Sequence, residues 1–290
     1  MKHRKTKAAF LAAVMAFVGW RGAVETRQRP LTELFNAKTA MTDNTPEYRL
    51  PSLVMPKNEK EVWRIRIGSW EMAHSGHHTF MEFGPVDEKP GDRDLGGNVF
   101  QIHGIAMNAV TKEHASLNFE SLSSYKSYFE GQYVLKVLGA NEDFNKDWFH
   151  KKPDAYVDVF YGSKEDVLRM YMDAMRLAQA INDENKSYKL LDQNSNSVQR
   201  TLLEGLGLNV PDIYEPHVLM KDSSRIWVPG IEWSLMPPGW DRQQARDADG
   251  SDRLSGNELE QAAREISRST KGIWVAGNAE NEHRPAPGPG

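Results

Sequence analysis

The chain has 290 residues, 39% of them hydrophobic and 26% charged, with a formal net charge of −4. This is the composition of a globular protein with room for one domain or two, and the acidic balance excludes a general nucleic-acid binder, which needs a basic stripe. The absence of cysteine excludes a disulfide framework, Cys-ligated zinc and thiol catalysis.

In chain order, Lys2, Arg4, Lys5 and Lys7 precede an uncharged apolar run, residues 8–20, closed by Arg21. A basic start followed by about a dozen apolar residues is the layout of a secretory signal. The run is short for a bilayer span, which takes about 20 apolar residues. Residues 1–23 are therefore predicted to be a signal-like or anchor segment. Arg21 is a poor residue to precede a cut at Gly22-Ala23, and an amphipathic or buried first helix is the other reading. The expected location is secreted, or periplasmic at the cell envelope, with transient membrane association through residues 8–20. Residues 24–60 are polar and carry Pro30, Pro46, Pro51 and Pro56, so a connecting arm is expected.

Regular structure is predicted from residue 61. Over 61–68, Trp63, Ile65 and Ile67 alternate with Val62, Arg64 and Arg66, the pattern of a half-buried strand. Residues 79–83, 98–107, 132–138 and 155–161 read as further strands from their Val, Tyr and Phe enrichment. The Gly-, Pro- and Asp-rich stretch 84–97 is a loop. Residues 164–181 form the clearest helix: Ser163 with Asp166 makes a cap, and Val167, Met170, Tyr171, Ala174, Ala178 and Ile181 make one apolar stripe. A second helix starts at 194–197, carries Val198, Leu202, Leu203 and Leu206, and ends at Gly207. Pro237-Pro238-Gly239 separates this α+β domain (61–236) from an acidic module (237–282), whose helix spans about 257–267. The Pro/Gly-rich tail 283–290 is predicted to be disordered. No internal repeat is visible, and no GxSxG, HExxH, GxGxxG or P-loop occurs.

Two segments invite a chemical reading. Tyr188-Lys-Leu-Leu-Asp-Gln-Asn-Ser-Asn-Ser-Val198 places polar residues at a helix start. Unpaired N–H groups and the positive dipole end stabilise an anion or an oxyanion there. His74-Ser-Gly-His-His-Thr-Phe-Met-Glu-Phe83 puts histidines at a strand entrance, where an imidazole could serve as a base. Plain helix capping explains Asn and Ser at 194–197 equally well. Zinc is a third option through His74, His77 and His78 with His103 or His114. Along a strand, however, His77 and His78 face opposite sides.

The order Gly-His-His-Thr-Phe-hydrophobic-Glu-Phe, a second His-bearing strand, a long helix and then Tyr-x-Leu-Leu-x-x-Asn-[nucleophile]-Asn-Ser-Val resembles the circularly permuted NlpC/P60 group. In these papain-like proteins the catalytic His precedes the catalytic Cys. The likeness spans about residues 61–208. It implies a small, mostly antiparallel sheet packed on helices, and hydrolysis or acyl transfer at amide, thioester or ester bonds of peptide, lipid or cell-wall type substrates. Carried over, His78 would be the base and His103 the group that orients it. The nucleophile position holds Ser195 instead of Cys, and a hydroxyl needs an efficient base. Either a serine hydrolase (amidase, peptidase or esterase) or a non-catalytic, calcium-stabilised binding or effector module on the same scaffold follows. The first expects the Ser195 hydroxyl within about 4 Å of a His78 nitrogen.

Residues 247–258 resemble an EF-hand loop. Asp247, Asp249, Ser251 and Ser255 fall at positions one, three, five and nine, the Arg253 carbonyl at seven and Glu258 at twelve. Ca²⁺ is the expected cofactor. Asp252 stands at position six where Gly is usual, and Asp tolerates left-handed backbone better than most residues.

Overall fold

The computed structural model describes residues 47–49, 53–56, 61–71, 77–86, 99–110, 133–140, 153–189, 192–212, 214–215 and 226–270. The predicted signal-like segment, His74, His114 and the C-terminal tail lie outside them.

Five strands form an antiparallel sheet in the order β6-β2-β3-β4-β5: β2 (Val62–Glu71), β3 (His77–Pro85), β4 (Phe100–Asn108), β5 (Tyr133–Ala140) and β6 (Ala155–Ser163). All five match expected strands, with ends moved by at most three residues. One addition was not expected. Residues Glu47–Arg49, inside the predicted connecting arm, form β1 and pair in parallel with β6 at the sheet edge. Three residues carry too little pattern to be read as a strand.

Helix α1 (Lys164–Asp183) follows β6 directly. Its start is set by Ser163, whose hydroxyl accepts the Asp166 N–H at 3.1 Å. Val167, Tyr171, Ala174, Ala178 and Ile181 are buried against β2, β3, β5 and β6, as the stripe predicts, while Met170 is only partly covered. Helix α2 (Ser195–Leu206) packs on β3, β4 and α1 through Val198, Leu202 and Leu206, and it ends at Gly207. Truncating one such side chain, Leu202→Ala, removes fully buried surface and is worth about 2–5 kcal/mol.

The acidic stretch supplies α3 (Arg242–Asp249), a short 3-10 turn at Ser251–Arg253, and α4 (Gly256–Ser269). The apolar positions of α4 decide where it goes. Leu259 and Ala263 are buried in the same core cluster as α1 and the sheet. Thr270 then accepts the Gly139 N–H of β5 at 3.0 Å. Residues predicted to form a separate module thus share the principal core.

The sheet has two unlike faces. Ile65, Ile67, Met81, Phe83, Ile102, Leu135 and Val157 point to the helices. Trp70, Phe80 and Tyr156 cluster on the other face. Alongside them lie buried polar groups: Arg64, Arg66, Glu82, Gln101, His103 and Asp158. Strand β2 is therefore buried on both faces rather than half-buried. The charges are tolerated because they are paired. Arg66 ion-pairs with Glu82 and stacks over the Tyr156 ring at 3.6 Å, and Glu82 also accepts Gln101 Nε2 at 2.7 Å.

Candidate functional site

The start of α2 sits where β3 and β4 part. Their register runs only from Phe83↔Phe100 to Phe80↔His103. Beyond it, β4 continues as Gly104, and a Cβ built there would stand 2.8 Å from Ser195 Cα. Only glycine lets the helix start come this close.

Asn196 closes the gap on the β3 side. Its carboxamide oxygen accepts the Thr79 N–H at 3.0 Å and the Thr79 hydroxyl at 2.8 Å. Its Nδ2 donates to the His77 carbonyl at 3.0 Å and to the Pro229 carbonyl at 2.8 Å. A side-chain amide thereby replaces a peptide unit of the missing strand pairing, and it fixes the backbone on either side of His78. Asn194 reaches the same Pro229 carbonyl at 2.9 Å. The next residue is Gly230 at φ 86, where a Cβ would stand 2.7 Å from the Asn194 carboxamide. Both the positive φ and the close approach call for glycine.

The donors of the helix start have partners within the chain. Asn194 Oδ1 accepts the N–H groups of Asn196 at 2.8 Å and Ser197 at 3.1 Å. Ser197 Oγ accepts the Asn194 N–H at 3.0 Å, completing a capping box. The phenol oxygen of Tyr188 lies beside the hydroxyl and N–H of Ser195, which favour its ionised form. Ser195 and Tyr188 are buried, 4% and 3% exposed. Burial pushes the Tyr188 phenol up to about 12, opposed by Ser195.

The histidines belong to the other face. His78 pairs across the strands with Trp70, and their rings stack with centroids 4.7 Å apart. His103 packs on Phe80 at 5.0 Å and shares a 2.9 Å hydrogen bond between its Nε2 and Gln101 Oε1. The structure does bring His78 and His103 together, with near-parallel rings 5.9 Å between centroids. It does not bring Ser195 to them. Thr79 and Gly104, the neighbours of His78 and His103, face α2, so the period-2 alternation turns both imidazoles away from it. Among the described residues no hydrogen bond joins Ser195 to either histidine, and His103 is bonded to Gln101. The expected hydroxyl–imidazole meeting is therefore corrected on a rule that the sequence already contained. Pairing His78 with Phe80 and Glu82, and Thr79 with Met81, would have signalled it. His77 and His78 face opposite sides, as expected, so they do not converge on one zinc ion.

In the predicted calcium loop, Ser251 is buried and its hydroxyl accepts from Arg176. Asp247 and Asp252 each accept from Gln243, at 2.9 and 2.8 Å. Ser255 caps α4 by position without a side-chain hydrogen bond, and Arg253 and Glu258 are exposed. Asp249 ends α3. Among the described residues, no group of three or more His, Asp or Glu side chains is placed to hold a metal ion, and no helix is long and apolar enough to cross a membrane.

Fold and site together define an α+β protein whose capped helix start is wedged into an opening of an antiparallel sheet. In comparisons with family models, curated proteins and solved structures, nothing matches this chain.

Proposed function

We propose that the chain is a non-catalytic binding or effector module built on a permuted papain-like frame, with Ser195 as a structural residue in place of a nucleophile. Two features support the frame. The histidine strand precedes the helix-start serine in the chain, and the helix start lies against the strands that carry both histidines. The single observation that carries the loss of catalysis is that Thr79 and Gly104 face the start of α2, which turns the neighbouring His78 and His103 away from Ser195. A nucleophile needs its hydroxyl facing a base and its oxyanion donors open to substrate. Here the Ser195 hydroxyl is buried beside the Tyr188 phenol, and the imidazoles lie on the far side of the sheet. The ligand class the frame suggests is a peptide, lipid or cell-wall polymer, bound without bond cleavage. Export through residues 1–23 belongs to the same proposal, and N-terminal sequencing of protein recovered outside the cytoplasm checks it.

The deciding experiment is labelling with a fluorophosphonate probe, wild type against Ser195→Ala. The module predicts no labelling of either. Labelling that disappears in Ser195→Ala overturns the proposal and restores a hydrolase with Ser195 as nucleophile, His78 as base and His103 as its orienting partner.

A further inference from the structure

The EF-hand-like stretch has a different internal cation. Arg169, on α1, donates Nη1 to the Ser251 carbonyl at 3.1 Å and the Asp252 carbonyl at 3.4 Å, and Nη2 to the Leu254 carbonyl. Arg176, about two helical turns further along α1, donates to the Ser251 hydroxyl. Arg246, from α3, pairs with Asp173 and lies 3.8 Å from Asp252. Asp173, 2% exposed, binds Arg176 as well at 2.9 Å, so one buried carboxylate holds two of these guanidinium groups in place.

The backbone also departs from a calcium loop. Such a loop makes its sharp turn at position six, which is why Gly is required there. Here the left-handed residues are Gly250 at position four, φ 69, and Gly256 at position ten, φ 51, and Asp252 at position six is not among them. The chain turns two residues early, enters a 3-10 turn and carries Ser251 inward to Arg176. The side chain at position five consequently leaves the arrangement that would surround an ion.

We infer that residues 247–258 are closed by the chain's own arginines, chiefly Arg169, and take no divalent cation. Carbonyl oxygens that need a positive partner receive a planar guanidinium, whose several N–H groups span the turn and which stays charged at any pH the fold survives. Guanidinium groups bonded to the turn also repel a free Ca²⁺ ion from it. This role ties α1 to the α3–α4 segment and does not depend on the proposal for Ser195.

Thermal unfolding of the full chain in EGTA and in excess CaCl₂, with a calorimetric CaCl₂ titration, tests the inference. The expected result is one unchanged Tm and no saturable heat. A Tm raised by Ca²⁺, or one ion bound per chain, overturns it, since a specifically bound ion stabilises the folded state by mass action. Arg169→Met should lower Tm by roughly 5 °C, and Arg169→Lys should recover only part, because an ammonium is a point charge that cannot span the carbonyls. An unchanged Tm in Arg169→Met overturns the inference equally. If that variant does not fold, the wild-type calcium arm decides alone.

Discussion

Two polar segments of this protein, 194–198 and 250–254, are satisfied in different ways. At the start of α2 the partners are neutral. A carboxamide caps the helix, a second carboxamide stands in for a strand, and a phenol covers the first residue. At the turn after α3 the partners are cations brought from α1. The first segment is buried within the sheet opening, where an unpaired charge is prohibitive. The second lies where side chains such as Arg246 keep 21% of their exposure, so charged hydrogen bonds are affordable and are screened by salt.

Breaking the neutral site should have the largest effect. Asn196→Ala leaves the Thr79 N–H buried without its partner and takes one donor from each of the His77 and Pro229 carbonyls, a loss of about 3–5 kcal/mol. The urea midpoint measures it, and faster amide exchange at Thr79 should accompany it. An Asn196→Ala variant as stable as wild type would show that the carboxamide does not complete the sheet.

Asp173→Asn attacks the charged counterpart by releasing Arg176 and Arg246. About 2–3 kcal/mol should be lost, less than for a fully buried pair, because Arg246 keeps part of its hydration. The loss should shrink in concentrated salt, whereas that of Asn196→Ala should not. Equal salt dependence would erase the distinction between the two segments.

Tyr188→Phe should cost about 1–2 kcal/mol at neutral pH by removing the phenol oxygen beside Ser195. Burial lifts the Tyr188 phenol from 10.0 to about 12, so the unfolded chain ionises first and stability falls as pH rises between those values. The substitution should flatten part of that alkaline decline, leaving the shares of Tyr171 and Tyr214, also pushed up by burial. The smallest effect belongs to Glu260, held below the ordinary carboxylate range by Lys164 and then Arg264. Its contribution is present above the usual value of 4.5 and is lost as pH falls through the lowered one. Glu260→Gln should therefore flatten the acid limb and change neutral stability by at most about 1 kcal/mol.

Most of the framework was legible because local physics wrote it. The Trp63-Ile65-Ile67 alternation, the Ser163 cap, the stripe of α1 and Gly207 after α2 are short-range signals, and each reappears in the fold. The site was legible only in part. Tyr188, Asn194 and Asn196 stood inside the motif that drew attention to Ser195, yet their partners Thr79 and Pro229 are 117 and 33 residues from Asn196 in the chain. The calcium reading was similarly a matter of spacing within twelve residues, while Arg169 lies 82 residues before Ser251.

By itself, then, the amino-acid order determined the kind of elements, their sequence and the apolar faces by which they meet, because periodicity and capping depend on neighbours a few positions apart. Which way His78 and His103 look relative to Ser195, and which cation holds the 250–254 turn, were decided only when distant segments packed. A polar group in a folded chain takes whichever partner the packing delivers, and no local spacing records that choice.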